Sequence, residues 1–487
     1  MSEATIDLHD LRLCVELALE MLQTDTTVVE AEVCASWSGR QSVRVQYDTE
    51  HPDDGIQAPR LESAYGVGIS VLIEDYQGRR MGFGSDRGDL SQEGITLALE
   101  RAKASAVSAS HLRTLPRPLA VPAAAPTFYD PDVVALHTDE VRHLALEALD
   151  GAISTLQAAG YVAALQVSGE VGSRTEHMVV GNTHGLLATE TCTGLGAAML
   201  CRLLRERSQG TGSSVAAYLT DFSPQNAGVE AAQQALRMRD SVTLSGGSYP
   251  VIFGPQAVAD LMQELLIPAL SLDTVAAGTS PFLTHFGRQV AAELLTITDA
   301  GRLPRLLGSR AMTGEGLPTG TTPLIDQGRL VGFLADVHHA QLLAPQLGLL
   351  SPQNGMRFAL HGESFGMQPG IFPTNVVLTG GQTEPLDALL ASISDGIYVG
   401  GLWDTTPVGG LQSGTFTSTV VSPAFYIRHG QLAEPLRPGT LRLQDNYLDL
   451  LHGISGVSTT PQAIALATMQ SLVLAPELRC RQARFVS

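Results

Sequence analysis

Lysine is almost missing from this chain. Lys103 stands alone among 487 residues, so arginine carries the positive charge, and 30 basic side chains face 49 acidic ones for a formal net charge of −19. An acidic surface opposes contact with a phosphate backbone, which excludes nucleic acid as an expected partner. A single lysine also removes most Schiff-base and P-loop chemistry, and no stretch reads G-x-x-x-x-G-K. Cysteine is sparse. Cys14, Cys34, Cys192, Cys201 and Cys480 show neither C-x-x-C spacing nor a compact framework, and an odd count points to the reduced thiols of a cytoplasm. Long apolar runs are missing too, since none approaches the roughly 20 residues of a membrane span. The start, Met1-Ser-Glu-Ala-Thr-Ile-Asp7, is acidic where a signal peptide is basic. A soluble, cytoplasmic protein with no membrane partner is the expectation.

What is present is a globular composition, 44% apolar and 16% charged, in a chain long enough for two or more cores. Residues 1–243 read as an α+β domain. An amphipathic helix through Leu8, Leu11, Val15 and Leu22 leads to a strand in which Val29, Ala31, Val33, Ala35 and Trp37 alternate with more polar positions. Ser42–Tyr47 reads as its hairpin partner, Val67–Ile73 as a further strand, and Asp89 as a cap for a helix through Ile95 and Leu99. After the closely spaced Pro116, Pro118, Pro122, Pro126 and Pro131 comes a second round: a helix from Thr138, strands at about Val162–Val171, Met178–Val180, Leu186–Leu204 (read as broken) and Ser214–Thr220, and a helix to Arg237. The expectation is an internal repeat, 1–111 and 132–243, joined by a proline-rich linker at 112–131. Gly82-Phe-Gly84 and Gly194-Leu-Gly196 lack the third glycine of a dinucleotide loop and read as close-packed sheet positions.

Beyond Leu244-Ser-Gly-Gly-Ser248 the chain turns glycine-rich and strand-rich. Residues 249–456 read as a second domain of many short strands with glycine turns, which favours a curved, barrel-like antiparallel sheet. Residues 457–487 read as a tail with a helical patch, Ile464 to Leu474.

Tyr249 to Ile267 organises the whole. Val251, Ile252 and Phe253 form a short buried strand, and Gly254-Pro255 is a turn. Val258, Leu261, Met262, Leu265 and Ala269 then recur at helical spacing, so one face packs on a core. Pro268 lacks an N–H and its ring clashes with the carbonyl of Glu264, so the helix is expected to stop or kink there. The chain from Tyr249 to about Ala340, together with Phe372-Pro373-Thr374-Asn375 to Arg428-His429-Gly430, resembles the TldD/TldE (PmbA) family. In the family's metal-bearing subunit the corresponding helix carries His-Glu-x-x-x-His, whose histidines hold zinc. Counted from Gly254-Pro255, those positions fall on Gln263, Glu264 and Pro268. Glutamine is a poor zinc ligand and proline has no side-chain donor. The third ligand of the family is a cysteine in a glycine-rich C-terminal loop, and the stretch matched to it, Gly400 to Gly410, has none. The resemblance is to the metal-free TldE subunit.

That resemblance implies no metal in this chain and zinc in a TldD-like partner, the two forming a heterodimeric metallopeptidase that cuts unfolded peptides and serves peptide maturation. Glu264 is the one catalytic-type residue retained. Without zinc to acidify a water, its expected role is a solvated or capping carboxylate. Two other classes stay open. Gly362-Glu-Ser364-Phe-Gly366 matches the G-x-S-x-G elbow of a serine hydrolase, with Met356 to Leu360 as the strand and Asp404, then His429 or His452, as acid and base. Met367-Gln-Pro-Gly370 breaks the helix that must come next, which favours a polar loop. The other class is a self-paired binding or scaffold protein without chemistry. His338-His339 is read as structural, because adjacent residues on a helix point about 100° apart.

Overall fold

The computed structural model describes residues 6–50, 55–75, 78–108, 114–118, 128–348, 350–359, 362–467 and 469–487. Helix α1 (Leu8–Thr24) starts at a reciprocal cap in which the Asp7 carboxylate accepts from His9 and Asp10 N–H while Asp10 accepts from Asp7 N–H. Next in the chain are strands β1 (Val28–Asp48), β2 (Arg60–Asp75) and β3 (Gly78–Arg87), then α2 (Gln92–Ala104). The order recurs as α3 (Thr138–Ala158), β4 (Leu165–Asn182), β5 (Leu187–Leu203), β6 (Ser208–Ala216) and α4 (Pro224–Arg237). The two sets join through the antiparallel pair β1–β4 into one seven-stranded sheet, with Val107–Ser108 at the far edge and the order β3-β2-β1-β4-β5-β6 inward from it. Of the stretch expected as a linker, residues 112, 113 and 119–127 lie outside the described residues. Pro116 is buried, and its carbonyl accepts from Asn182 Nδ2 at 2.7 Å.

The strands are longer than their sequence suggests. No hairpin separates Trp37 from Ser42, because β1 is one strand of 21 residues whose ladder with β4 runs unbroken from Glu32↔Asn182 to Asp48↔Gln166. The stretches expected as two strands at Val162–Val180 are the single β4, and β5 is continuous over 17 residues. Glycines within them serve close approach. A Cβ at Gly82 would lie 1.9 Å from the α2 carbonyl of Ala102, and one at Gly194 or Gly196 would meet Leu307 or Met469 of the C-terminal half.

These helices cover one face of the sheet, α1 and α2 over Val33, Ala35, Val67 and Ile69, α3 and α4 over Val167, Val171, Ala197 and Cys201. The opposite face differs from expectation. The polar positions of β1, Glu32, Ser36 and Ser38, are no more than 5% exposed, because loops of the C-terminal half close over them.

In that half, β7 (Gly247–Phe253) leads into α5 (Pro255–Leu261), and five strands close a ring. β7 pairs in parallel with β11 (Asp395–Pro407), which pairs with β12 (Thr415–Arg428), then β13 (Arg442–Asn446), then β16 (Leu478–Val486), which returns to β7. Beside this closed barrel lies a six-stranded sheet. After a two-residue edge strand, Arg329–Leu330, its order is β9 (Thr321–Asp326), β8 (Leu295–Ala300), β10 (Asn375–Gly380), β15 (Leu472–Ala475) and β14 (Gln462–Ala465). One apolar core, including Phe253, Leu265, Ile297, Phe416 and Phe485, fills the space between barrel and sheet. The expected helix at Ile464–Leu474 is therefore a correction: Ile464 and Ala465 belong to β14, Leu472 to Leu474 belong to β15, and β16 completes the barrel. Apolar residues in a short run fit either period, and long-range pairing with β10 decides for strand. No helix among the described residues is long and apolar enough to cross a membrane.

Candidate functional site

The helix that begins at Pro255 changes its winding where the resemblance places the zinc ligands. α5 gives way to a π-helical turn, Met262–Leu266, in which Ile267 N–H donates to the Met262 carbonyl five residues back, and a last turn, Ile267–Ala269, carries Pro268. In an α-helix, residues five apart diverge by about 140°. A π turn brings them back to one face. Gln263 and Pro268 thus share the open side with exposed Glu264, while Met262, Leu265, Leu266 and Ile267 face the core. The wider turn also relieves the clash a proline ring makes with the carbonyl four residues back, so the helix passes Pro268 and ends at Leu270.

The side chains on that face do not make a zinc ligand set. Gln263 Oε1 accepts from Ala467 N–H (2.8 Å) and its Nε2 donates to Glu264 (2.6 Å), and Pro268 offers no donor atom. Gln263 meets Leu466–Ala467 beyond β14, while the strand that carries Gly400 bonds one turn earlier through Leu402 N–H to Asp260 Oδ2 (3.0 Å). Neither segment contains cysteine. Cys480 lies in the barrel core, its thiol pushed up by burial. Burial raises the Asp260 carboxyl to about 6, against the hydrogen bonds from Gln256 and Leu402, and Glu264 adds to the rise. Among the described residues no group of three or more His, Cys, Asp or Glu is arranged to hold a metal ion.

Ser364 sits in a single 3₁₀ turn, Ser364–Gly366, at 1% exposure. Leu360, the end of the strand expected before it, lies outside the described residues, and only Gly355–Met356 is extended there. Its hydroxyl donates to Glu176 of β4. The neighbouring Phe365 N–H donates to Ser36 Oγ at 2.9 Å, over Gly68 of β2, where a Cβ would lie 1.9 Å from the Phe365 carbonyl. The structure does not bring the expected acid or base to it. Asp404 is exposed beside Arg442 (3.8 Å), His429 occupies the turn after β12, and His452 lies on the helix Tyr447–Gly453. His339 is held by Asp336 through Nδ1 (2.9 Å), and the His338 ring stands at 73° to it. Burial pulls the His339 imidazole down, and the Asp336 contact outweighs that and raises it.

Around Ser364 lies a buried ionic layer between the two halves that sequence reading missed. The register places Ser38 beside Glu176 beside Cys192, and Met178 beside Glu190, across β1, β4 and β5. Arg310 reaches Glu190 (3.5 Å), Cys192 Sγ (2.9 Å) and Gln470 (3.3 Å) and stacks on Phe358. Arg357 binds Glu32 and donates to the carbonyls of Gly314 (2.7 Å) and Met367. Burial pushes the carboxyls of Glu32, Glu190 and Glu315 upward. The alternation of Glu and Ser along β1 and β4 was the available signal, but it does not say what covers them.

Residues 246–487 match the PmbA/TldA metallopeptidase C-terminal domain and residues 135–239 its central domain. A metalloprotease TldD homolog of Haemophilus influenzae is 32% identical over 216 residues, 44% of this chain and 41% of that protein. A metalloprotease PmbA of Escherichia coli O157:H7 is 25% identical over 283 residues, 57% of this chain and 62% of that protein. The chain thus matches less than two thirds of the length of these curated relatives. The crystal structure of TldE from Thermococcus kodakarensis superimposes with a TM-score of 0.80 at 20% identity, over 98% of this chain and 100% of that one, which is a likeness of fold. With both matched domains in sequence and the helix and barrel arranged around them, the chain belongs to the PmbA/TldD metallopeptidase family.

Proposed function

We propose that this chain is the metal-free subunit of a TldD/TldE-type heterodimeric metallopeptidase that acts on unfolded peptides in the cytoplasm, with zinc held by a TldD-like partner. One observation carries the reading. The π turn at Met262–Leu266 aligns residues five apart, the spacing of the two histidines that the resemblance implies, while Gln263 and Pro268 occupy those positions. A retained shape without its ligands suits a wall or interface role, and no step of hydrolysis is assigned to Glu264. The test mixes the purified chain with the TldD-like protein of the same organism and measures cleavage of an unfolded polypeptide. Cleavage that needs both proteins supports the proposal. Full activity in the zinc protein alone would leave a non-catalytic scaffold.

A further inference from the structure

Gln263 stands where the resemblance puts a zinc ligand, and its amide is held at both ends. Oε1 accepts from Ala467 N–H at 2.8 Å, and Nε2 donates to Glu264 Oε1 at 2.6 Å. Turning the amide over would set N–H against N–H and oxygen against carboxylate, so the two contacts together fix one orientation. A nitrogen ligand approaches zinc to about 2.0–2.1 Å. Here the direction in which a ligand atom would meet a metal is taken by a backbone N–H. The residues do not fit a metal. The position has a different occupant, the turn that joins β14 to β15.

That turn touches three parts of the molecule. Leu466 is buried in the C-terminal core; its N–H donates to the Ser471 carbonyl at 2.9 Å, and Met469 N–H donates to the Leu466 carbonyl at 2.8 Å. Met469 has a left-handed φ of +54°, uncommon without glycine. Its Cε lies over β5, 2.7 Å from where a Cβ on Gly196 would stand. Gln470 is 2% exposed and reaches into the ionic layer between the halves. Its Nε2 donates to the Ala359 carbonyl (3.1 Å), and its Oε1 accepts from Arg310 Nη2 (3.3 Å). Arg310 pairs with Glu190 of β5, which accepts in turn from Ala311 N–H (2.6 Å) and Met312 N–H (3.3 Å).

We propose that Gln263 is a positioning residue. It latches the β14–β15 turn at Ala467, and through Gln470 that turn sets the Arg310 guanidinium against Glu190. Glu264 keeps the latching amide the right way round. The position that the resemblance gives to a metal ligand thus ties the helix to the N-terminal sheet. These contacts lie within one chain, so the tie stands or falls apart from the peptidase-subunit reading.

The test is amide hydrogen exchange on the purified full-length chain. Gln263→Met keeps the unbranched stem and removes both polar contacts, whereas Gln263→Glu keeps an acceptor for Ala467 N–H. In Gln263→Met exchange should speed up about threefold or more at Ala467, the size expected for one lost hydrogen bond. It should also speed up about twofold or more at Ala311 and Met312, which a purely local contact would not move. Gln263→Glu should bring both rates back toward the parent. Gln470→Leu, which cuts the path and leaves the latch, should speed Ala311 and Met312, and adding Gln263→Met to it should add nothing there. If Gln470→Leu does not fold, the two variants at the half-buried Gln263 decide. Unchanged exchange at Ala467 in Gln263→Met overturns the latch. Faster exchange at Ala467 with Ala311 and Met312 unmoved overturns the tie. So does an equal acceleration in the β1–β4 ladder, which would report lost global stability, or a Gln263→Glu variant that behaves like Gln263→Met.

Discussion

Replacing Arg357 by methionine should destabilise the folded chain by about 3–5 kcal/mol, the range for removing one partner of a buried ion pair. The Arg357 side chain is 1% exposed and that of Glu32 4%. The substitution keeps an unbranched apolar stem but removes three donor contacts at once, to Glu32, to the Gly314 carbonyl and to the Met367 carbonyl. The Gly314 carbonyl, left unpaired in a buried site, costs about 1–3 kcal/mol, whereas Met367 is exposed, so water can replace the bond to its carbonyl. Glu32 limits its own share by taking up a proton, because burial already pushes its carboxyl upward. Adding Glu32→Met removes the orphaned carboxyl and should recover at least half of the loss. Urea denaturation monitored by the fluorescence of Trp37, in a Trp403→Phe background, reads the N-terminal sheet directly, since these are the two tryptophans of the chain. A cost below about 1 kcal/mol, or a double variant as unstable as Arg357→Met, would refute the idea that this pair clamps the two halves.

Other consequences are as specific. Ser364 should stay unlabelled by a fluorophosphonate probe, because it is buried, its hydroxyl is committed to Glu176, and no helix comes after it; labelling lost in Ser364→Ala would revive the hydrolase alternative. Glu264→Gln should change the rate of a reconstituted complex by less than about twofold, whereas a hundredfold drop, the usual size for a lost general base, would place chemistry in this subunit. Burial raises the carboxyls of Asp260 and Asp299 to about 6 from 3.8. The folded state then holds protons that the unfolded state releases, so the stability these two groups contribute is full below pH 3.8, declines as pH rises through 6, and is lost above it. Urea midpoints across that window should show the decline, and Asp299→Asn should flatten part of it; a midpoint that rises with pH would reverse the sign of the argument.

What could be read in advance came from local physics. The turn at Gly254-Pro255 and the apolar spacing of Val258, Leu261 and Leu265 mark a strand, turn and helix without any neighbour's help. The glycine-punctuated strands beyond Ser248 announced a curved sheet, and the ring of β7, β11, β12, β13 and β16 is that sheet closed. What failed was non-local. Alternation in β1 shows which residues share a face, but the loop carrying Phe365 that buries Ser36 lies 329 residues away. The run from Ile464 to Leu474 fits a helical period as well as a strand, and only pairing with Asn375–Val377 fixes it. The π turn leaves no mark in apolar spacing, because one extra residue per turn shifts the pattern by less than a short helix can reveal.

The central claim is that this chain carries the family's shape without its metal and completes a zinc-bearing partner. Native mass spectrometry of the chain co-expressed with the TldD-like protein of its own organism tests it most directly, since one spectrum gives both composition and metal count. The account predicts a mixed dimer with one zinc, and the chain by itself with none. A zinc atom on each copy of this chain alone, or two proteins that never appear in one complex, would contradict it.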